Sequence, residues 1–325
     1  MQQQPEVEVL LATYNGERYL REQINSILNQ DYPSLRLTAS DDGSSDNTIK
    51  ILDEYASEFP HRIRILPGGR TGHPKINFLR LMKASTANYL CFSDQDDVWL
   101  PEKISLTMKA MQDLEDHYGR STPALVFTDL QVVNERLETV SPSYWKRAGI
   151  KAENIHSLPR LLSENVITGC TVMINRSLCD LAVQMAEEAE MHDWWIALLA
   201  ATFGVAEIVP RATILYRQHD SNVIGSPEQD LNLSSLANRT VSDKSRQRQR
   251  LRCEQQAEAF LRVHGEQMTA EKKQILEAFL VSGRSESAYI RVKTMIQYGF
   301  FRPGFLKNIA TAIQLFRSRS ITDHS

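Results

Sequence analysis

Four short apolar runs recur in the first hundred residues, and each leads into a polar turn or loop. Val7 to Ala12 leads into Thr13-Tyr14-Asn15-Gly16, and Leu35 to Ser40 into Asp41-Asp42-Gly43-Ser44-Ser45-Asp46. Ile63 to Leu66 precedes a loop from Pro67 to Pro74, and the run that begins at Tyr89 ends in Asp94-Gln95-Asp96-Asp97. Helical signals fill the gaps. Leu20, Ile24, Ile27 and Leu28 fall on one face, and helices are expected over Thr48 to Phe59 and about Lys75 to Ala84. Strands that alternate with helices across short connections predict a parallel sheet covered by helices on both faces. Ligands of such sheets bind beyond the carboxyl ends of the strands, so Thr13, Asn15, Asp41, Asp42 and Asp94 to Asp97 are expected around one crevice. No GxGxxG follows the first run and no GxxxxGK[ST] occurs, which argues against a dinucleotide site and a P-loop.

The carboxylates after the fourth run call for a cation. Asp94, Asp96 and Asp97 would repel one another at the end of a buried strand, whereas a hard divalent metal carrying a phosphate group suits the same oxygen ligands. An EF-hand loop fails, because Val98 takes the fifth position and Trp99 the sixth, where glycine is needed. Any one of these residues can instead be solvated or cap the next helix. A divalent cation, Mg2+ or Mn2+, between carboxylate and diphosphate stabilises charge on a departing nucleoside diphosphate.

Farther along, a helix is expected over Pro101 to Tyr118 and a strand over Ala124 to Thr128. Asp129 to Ile155 reads as irregular, an acceptor-lining loop in prospect, with Tyr144, Trp145, Lys146 and Arg147 in it. Val166 to Ile174 reads as a strand in which Gly169 permits close backbone approach. A helix over Arg176 to Glu190 precedes Met191-His192-Asp193-Trp194-Trp195 and a further helix to Phe203. Short strands at Val205 to Val209 and Ala212 to Tyr216 lead to Arg217-Gln218-His219, in which Arg217 is either a diphosphate partner or a solvated cation.

Four of these motifs, in this order and spacing, resemble family 2 glycosyltransferases of the GT-A fold: Thr13-Tyr14-Asn15-Gly16, Asp41 to Asp46, Asp94-Gln95-Asp96-Asp97-Val98-Trp99 and His192-Asp193-Trp194-Trp195. The likeness covers about Val7 to Gly225 and is nearest the bacterial rhamnosyltransferase-like branch that builds surface polysaccharides. It implies a Rossmann-like, mostly parallel sheet flanked by helices, and an inverting transfer from a nucleotide sugar. By that resemblance Thr13, Asn15 and Glu17 line the nucleotide pocket, and Asp42, beside Asp41, accepts from a pyrimidine N3–H. A carboxylate there selects uracil or thymine over cytosine, which has no such proton. Asp94 and Asp96 approach the donor, Asp96 near the ribose, and Asp97 is the chief metal ligand, with Asp96 as a further ligand; His219 is either a late metal ligand or a hydrogen-bonded loop residue. Asp193 is the catalytic base, Gly169 borders the acceptor, Trp194 and Trp195 are acceptor-side candidates, and Lys75 and Asn77 are candidate donor contacts. For the tryptophans a core role competes, and for Lys75 and Asn77 helix capping does. The resemblance favours dTDP-L-rhamnose as donor, then UDP-galactose or another UDP-hexose, with a glycan or lipid-linked glycan as acceptor.

Composition bounds the partners. Net charge is −3, against general nucleic-acid binding, yet residues 1–225 carry 21 basic against 30 acidic side chains and residues 226–325 carry 16 against 10. A basic tail points to an anionic partner. The last segment sets Phe305, Ile309, Ile313 and Phe316 on one helical face, with Phe300, Phe301 and Arg302 just before. It is expected either to lie on a membrane interface or to pack on the main domain or a homodimer partner. The four cysteines form no CxxC pair, no secretory signal opens the chain, and no apolar run reaches membrane-spanning length. The expectation is a cytoplasmic protein, peripheral on the inner membrane face, with a transferase domain over 1–225 and a basic helical region over 226–325. Two rivals stand beside it. A sugar-1-phosphate nucleotidyltransferase would want a Gly- and Lys/Arg-rich loop after the first strand, where Thr13 to Glu17 stand. A catalytically inactive carbohydrate-binding or scaffolding protein would not need both carboxylate sites.

Overall fold

Strands β1 (Val7–Thr13), β2 (Leu35–Asp41), β3 (Ile63–Ile65) and β4 (Tyr89–Ser93) pair in parallel in the order β3-β2-β1-β4. Helices α1 (Leu20–Leu28), α2 (Thr48–Glu58) and α3 (Pro74–Ala84) connect them. The computed structural model describes residues 4–219, 243–302 and 308. Alternation along the strands divides the core. Val9 and Leu11 pack on one face with Ile24, Ile27, Ile104 and Met108, while Leu10 and Phe92 pack on the other with Phe78, Leu81 and Leu198. The α/β class expected from the sequence holds, with helices on both faces.

The second half of the sheet is mixed. After a two-residue strand β5 (Val98–Trp99) and helix α4 (Lys103–Tyr118), strand β6 (Ala124–Val133) is joined to β4 through β8 (Val172–Asn175), antiparallel to both. Strand β7 (Thr139–Ser141) forms a hairpin with β6, followed by helices α5 (Tyr144–Ala148) and α6 (Leu158–Ser163). Asp129 to Ile155 is thus largely regular. The buried Asp129 caps α5, accepting from Ser143 Oγ at 2.5 Å and from the amides of Tyr144 and Trp145 at 3.2 Å. Helices α7 (Arg176–Ala182) and α8 (His192–Phe203) precede strand β9 (Val205–Arg217), which replaces the two short strands expected there. It runs parallel to β6 on both sides of a register shift at Pro210, which has no N–H for the ladder.

Val166 to Ile174 is a strand only from Val172. Gly169–Thr171 forms a tight turn in which both the amide and the hydroxyl of Thr171 donate to Thr168 O, at 2.8 and 2.7 Å. That local bonding diverts the backbone from the ladder. The helix from Arg176 likewise stops at Ala182, short of Glu190.

Three helices, α9 (Asp243–His264), α10 (Ala270–Arg284) and α11 (Ala288–Tyr298), close the described chain. They share the core that lies behind α8: Trp195 meets Phe260 with ring centroids 5.0 Å apart, and Phe300 meets Phe279 at 5.1 Å. Much of the tail's positive charge is used internally. Arg252 pairs with Glu190 at 2.8 Å, Arg262 with Glu188 at 2.9 Å, and Arg302 with Glu164 at 3.4 Å. Phe300 is buried, and the Arg160 guanidinium lies 5.1 Å from the Phe301 ring. Phe305 to Phe316 lies outside the described residues. Among the described residues, no helix is long and apolar enough to cross a membrane.

Candidate active site

The crevice is built from the carboxyl ends of β1, β2 and β4. Thr13 Oγ1 donates to Asp41 Oδ1 at 2.8 Å, and the other Asp41 oxygen accepts from the amides of Gly43 and Ser44 at 3.0 and 2.8 Å. Asn15, at φ 48°, accepts at Oδ1 from Ser45 N (2.8 Å), and Glu17 accepts from Asn47 N (2.9 Å). Thr13, Asn15, Glu17 and Asp41 therefore lock the β1 and β2 loops together. Asp42 lies beyond them, buried, accepting from the amides of Thr71 and of Gly72 (2.9 Å to the latter). Each oxygen keeps a further lone pair for a base N–H.

Asn77 donates to Ser40 O at 2.8 Å from a buried position, and its own Oδ1 has no hydrogen-bond partner among the described residues. Lys75 turns toward the segment before α8. Its Nζ bonds the carbonyls of Glu187 and Ala189, tying α3 to the segment before α8.

The loop after β4 splits its carboxylates between two neighbourhoods. Asp96 Oδ2 lies 2.9 Å from His219 Nε2, so these two candidate ligands are adjacent. Asp97 is fully buried. One oxygen accepts from Arg217 N at 3.3 Å and the other has no hydrogen-bond partner among the described residues. Ligand atoms of Asp97, Asp94 and Cys170 lie within 4.8 Å of one another. Burial first, then the charge of Asp96, raises the carboxyls of both Asp94 (to about 7) and Asp97, and Asp94 lifts Asp97 further. Clustered carboxylates with an orphaned oxygen fit a hard divalent cation. Cys170 does not, because burial holds its thiol in the protonated form.

Asp193 sits in the first turn of α8, where the helix dipole favours an anion. Trp194 N donates to its Oδ1 at 2.7 Å and Asn165 Nδ2 to its Oδ2 at 3.2 Å. Burial still lifts its carboxyl to about 6, outweighing these bonds. Asp193 is close enough to Asp94 for its charge to raise that group further. Gly169 lies against α8: a Cβ there would meet His192 Nε2 at 2.9 Å.

A family model described as Glycosyl transferase family 2 matches residues 8–178. The chain belongs to that family. It is 31% identical over 228 residues to the dTDP-rhamnosyl transferase RfbG of Shigella flexneri, an alignment covering 66% of this chain and 74% of that one. Among solved structures it resembles S. aureus TarS in complex with UDP-GlcNAc, with TM-score 0.53, 18% identity, and coverage of 90% and 80% of the two chains. The mannosyltransferase PcManGT of Pyrobaculum calidifontis, in complex with GDP-Man and Mn2+, gives 0.52 and 15%, covering 96% and 79%. At these identities the structures establish the GT-A fold.

In this family 2 chain the two acceptor-side tryptophans are structural. Trp195 is sealed between α8 and α9, and Trp194 Nε1 donates to Leu161 O at 2.6 Å. Arg217 is neither a solvated cation nor aimed at a diphosphate. It is buried, donating through Nε to Asp96 O (2.9 Å) and through Nη1 to Glu135 O (2.6 Å), paired with Glu22, and its guanidinium lies 4.4 Å from the Tyr19 ring. Two residues of the glycosyltransferase site had no assigned role in the sequence reading. Gln95 exchanges hydrogen bonds with the backbone of Tyr14, at 2.8 and 2.9 Å, binding the Asp loop to the β1 loop. Asn165 holds Asp193. The Gln95 position within Asp94 to Asp97 was a signal; Asn165 had none.

Proposed function

We propose that this glycosyltransferase moves a sugar, L-rhamnose from dTDP-L-rhamnose, to a hydroxyl of a glycan or lipid-linked glycan in surface polysaccharide synthesis, with inversion at the anomeric carbon. One observation carries the reading: Asp193, lifted toward neutral pH and pinned at a helix N-terminus, stands near enough to Asp94 for its charge to raise that carboxyl. The likeness to RfbG supports the donor, and the UDP-GlcNAc complex of TarS supports a pyrimidine nucleotide sugar in this fold.

Asp42 accepts from the base N3–H, and Asp94 and Asp96 approach the ribose and diphosphate. Thr13, Asn15, Glu17 and Asp41 shape the nucleotide loops, with Asn77 beneath them. Asp193 takes the proton of the acceptor hydroxyl as that oxygen bonds to the anomeric carbon from the face opposite the nucleoside diphosphate, which departs with the electron pair of the broken bond. The new Asp193 carboxylic acid then releases its proton to solvent. Asp97, clustered with Asp94, would hold Mg2+ or Mn2+, and the adjacent Asp96 and His219 form a second candidate pair of ligands. The bound ion supplies Lewis-acid stabilisation of the leaving diphosphate. Gly169 borders the acceptor. The reading places the chain on the cytoplasmic side of the membrane, peripheral to it, with residues 1–225 as the transferase domain.

A donor panel tests it. Nucleoside diphosphate release is measured with dTDP-L-rhamnose, UDP-galactose and UDP-GlcNAc, with a lipid-linked glycan extract as acceptor and Asp193→Asn as control. Acceptor-dependent release from dTDP-L-rhamnose alone is expected. Turnover of UDP-galactose would favour a UDP-hexose transferase of the same fold, and no turnover of any donor would reject the activity.

A further inference from the structure

Each carboxylate oxygen of Asp193 accepts one hydrogen bond and keeps a further lone pair for an acceptor hydroxyl. The helix fixes Oδ1 through the amide of Trp194 at 2.7 Å. Oδ2 is held from a different element: Asn165 Nδ2 at 3.2 Å, from the segment between α6 and the Gly169 turn. That segment is itself braced. Asn165 Oδ1 accepts from Ile167 N at 3.2 Å, which orients the amide so that its NH2 faces Asp193. Its neighbour Glu164 pairs with Arg302 at 3.4 Å, and Arg302 reaches Gln249 of α9 at 3.1 Å. From α6, Arg160 donates to Phe301 O at 3.1 Å.

We propose that Asn165 is the positioning residue of Asp193, and that the Arg302–Glu164 contact makes the C-terminal helices the support on which the base is aimed. This rests on the reading of Asp193 as the base. A carboxylate held by only one of its oxygens turns about its Cβ–Cγ bond. Two donors on separate elements stop that rotation and leave the remaining lone pairs in a fixed direction, where an acceptor hydroxyl must arrive to lose its proton. Among the described residues, the hydrogen bonds and ion pairs of the C-terminal helices given above go to α6, the segment after it and the segment before α8, and not to the strand ends. Their influence therefore reaches the rate of proton transfer and not the affinity for nucleotide.

The test uses the full chain and four variants. Asn165→Leu keeps the volume and removes the donor, Asn165→Asp keeps the shape and reverses the polarity, Arg302→Met cuts the brace, and Asp193→Asn is the control. Each is measured for kcat and KM with the donor found active in the panel, for dTDP and UDP affinity by calorimetry, and for thermal midpoint. Asn165→Leu is expected to lower kcat by ten- to a hundred-fold and Asn165→Asp by more, with dTDP affinity within two-fold of the parent. Arg302→Met is expected to lower kcat several-fold in the same pattern. Asn165→Leu also removes a bond that favours the charged base, so its pH–rate profile is expected to move to higher pH. Unchanged kcat in both Asn165 variants overturns the proposal, as does a kcat loss matched by an equal loss of dTDP affinity. If Asp193→Asn retains full transfer, the base assignment falls and the inference with it. If Asp193→Asn is inactive while both Asn165 variants match the parent, only the positioning role falls.

Discussion

Asp96 Oδ2 and His219 Nε2 stand 2.9 Å apart although 123 residues separate them in the chain. The β4 loop supplies the carboxylate and the end of β9 supplies the imidazole, so the pair exists only when the two sheet halves are assembled. Removing His219 is expected to weaken Mn2+ binding by about ten- to a hundred-fold, the usual cost of losing the partner that orients a carboxylate ligand. Titrating free Mn2+ by electron paramagnetic resonance, with dTDP present, reads this for His219→Ala and Asp96→Ala. Parent-like affinity in both variants would remove the pair from the metal site.

The first four strands and the crevice at their ends were legible because local alternation and turn composition encode them. What was not legible was long-range. The pairing of β6 with β9 across Pro210 and the capping of α5 by Asp129 depend on partners distant in sequence, which periodicity does not register. Gly169 was read as a strand glycine, whereas its bare Cα accommodates the His192 ring. Arg217 looked like a surface cation in a polar tripeptide, and its burial follows only from closure of the hairpin and α1 around it. The four motifs marked out the candidate site; the residues that hold those motifs in place left almost no local trace.

Asp193 sets a pH dependence. As a base it works ionised, and burial holds its carboxyl at about 6 rather than the ordinary 3.8. Transfer is expected to rise as pH increases through about 6. Stability moves the other way: between the unfolded and folded values the native state binds the extra proton, so this group's contribution falls as pH rises through that window. A pH–rate profile of kcat checks the first statement. A flat profile between pH 5 and 7 would rule out Asp193 as the titrating base.

Gly169 leaves no room for a methyl group. A Cβ would lie 2.9 Å from His192 Nε2 and 3.7 Å from Asp193 Cβ, and the His192 ring is already stacked on Phe78 with centroids 4.1 Å apart. Gly169→Ala is expected to cost about 1–3 kcal/mol through overpacking. It should also lower kcat about ten-fold by displacing the base. Thermal melts and transfer assays on one preparation separate the two effects, and an unchanged kcat would show that the turn absorbs the methyl.

Arg217 joins Asp96, Glu135 and Glu22 from a buried position. Arg217→Met leaves the Asp96 and Glu135 carbonyls without their donor and is expected to destabilise the fold by about 1–3 kcal/mol, the usual cost of an unsatisfied buried acceptor, with little added by the exposed Glu22. The denaturant midpoint should fall. Arg217→Lys should recover only part of the loss, because an ammonium cannot reproduce the planar fork of donors. Full recovery by lysine would mean that charge alone matters here.

His264 gives the fold an acid sensitivity of its own. It is buried among the rings of Trp195, Phe203 and Phe260, at centroid distances of 5.8, 5.8 and 5.2 Å, and neither ring nitrogen has a hydrogen-bond partner among the described residues. Burial pulls its pKa down from 6.5 to about 4. Between those values the unfolded chain binds the proton and the folded chain does not, so stability is lost as pH falls from about 6.5 toward about 4. The slope from this one group is about 1.4 kcal/mol per pH unit. His264→Phe keeps an aromatic ring in the same enclosure and removes the titration. Urea midpoints at pH 7 and pH 5 should therefore differ less in this variant than in the parent. An identical acid sensitivity in the two proteins would mean that other groups, such as the buried His192, dominate the response.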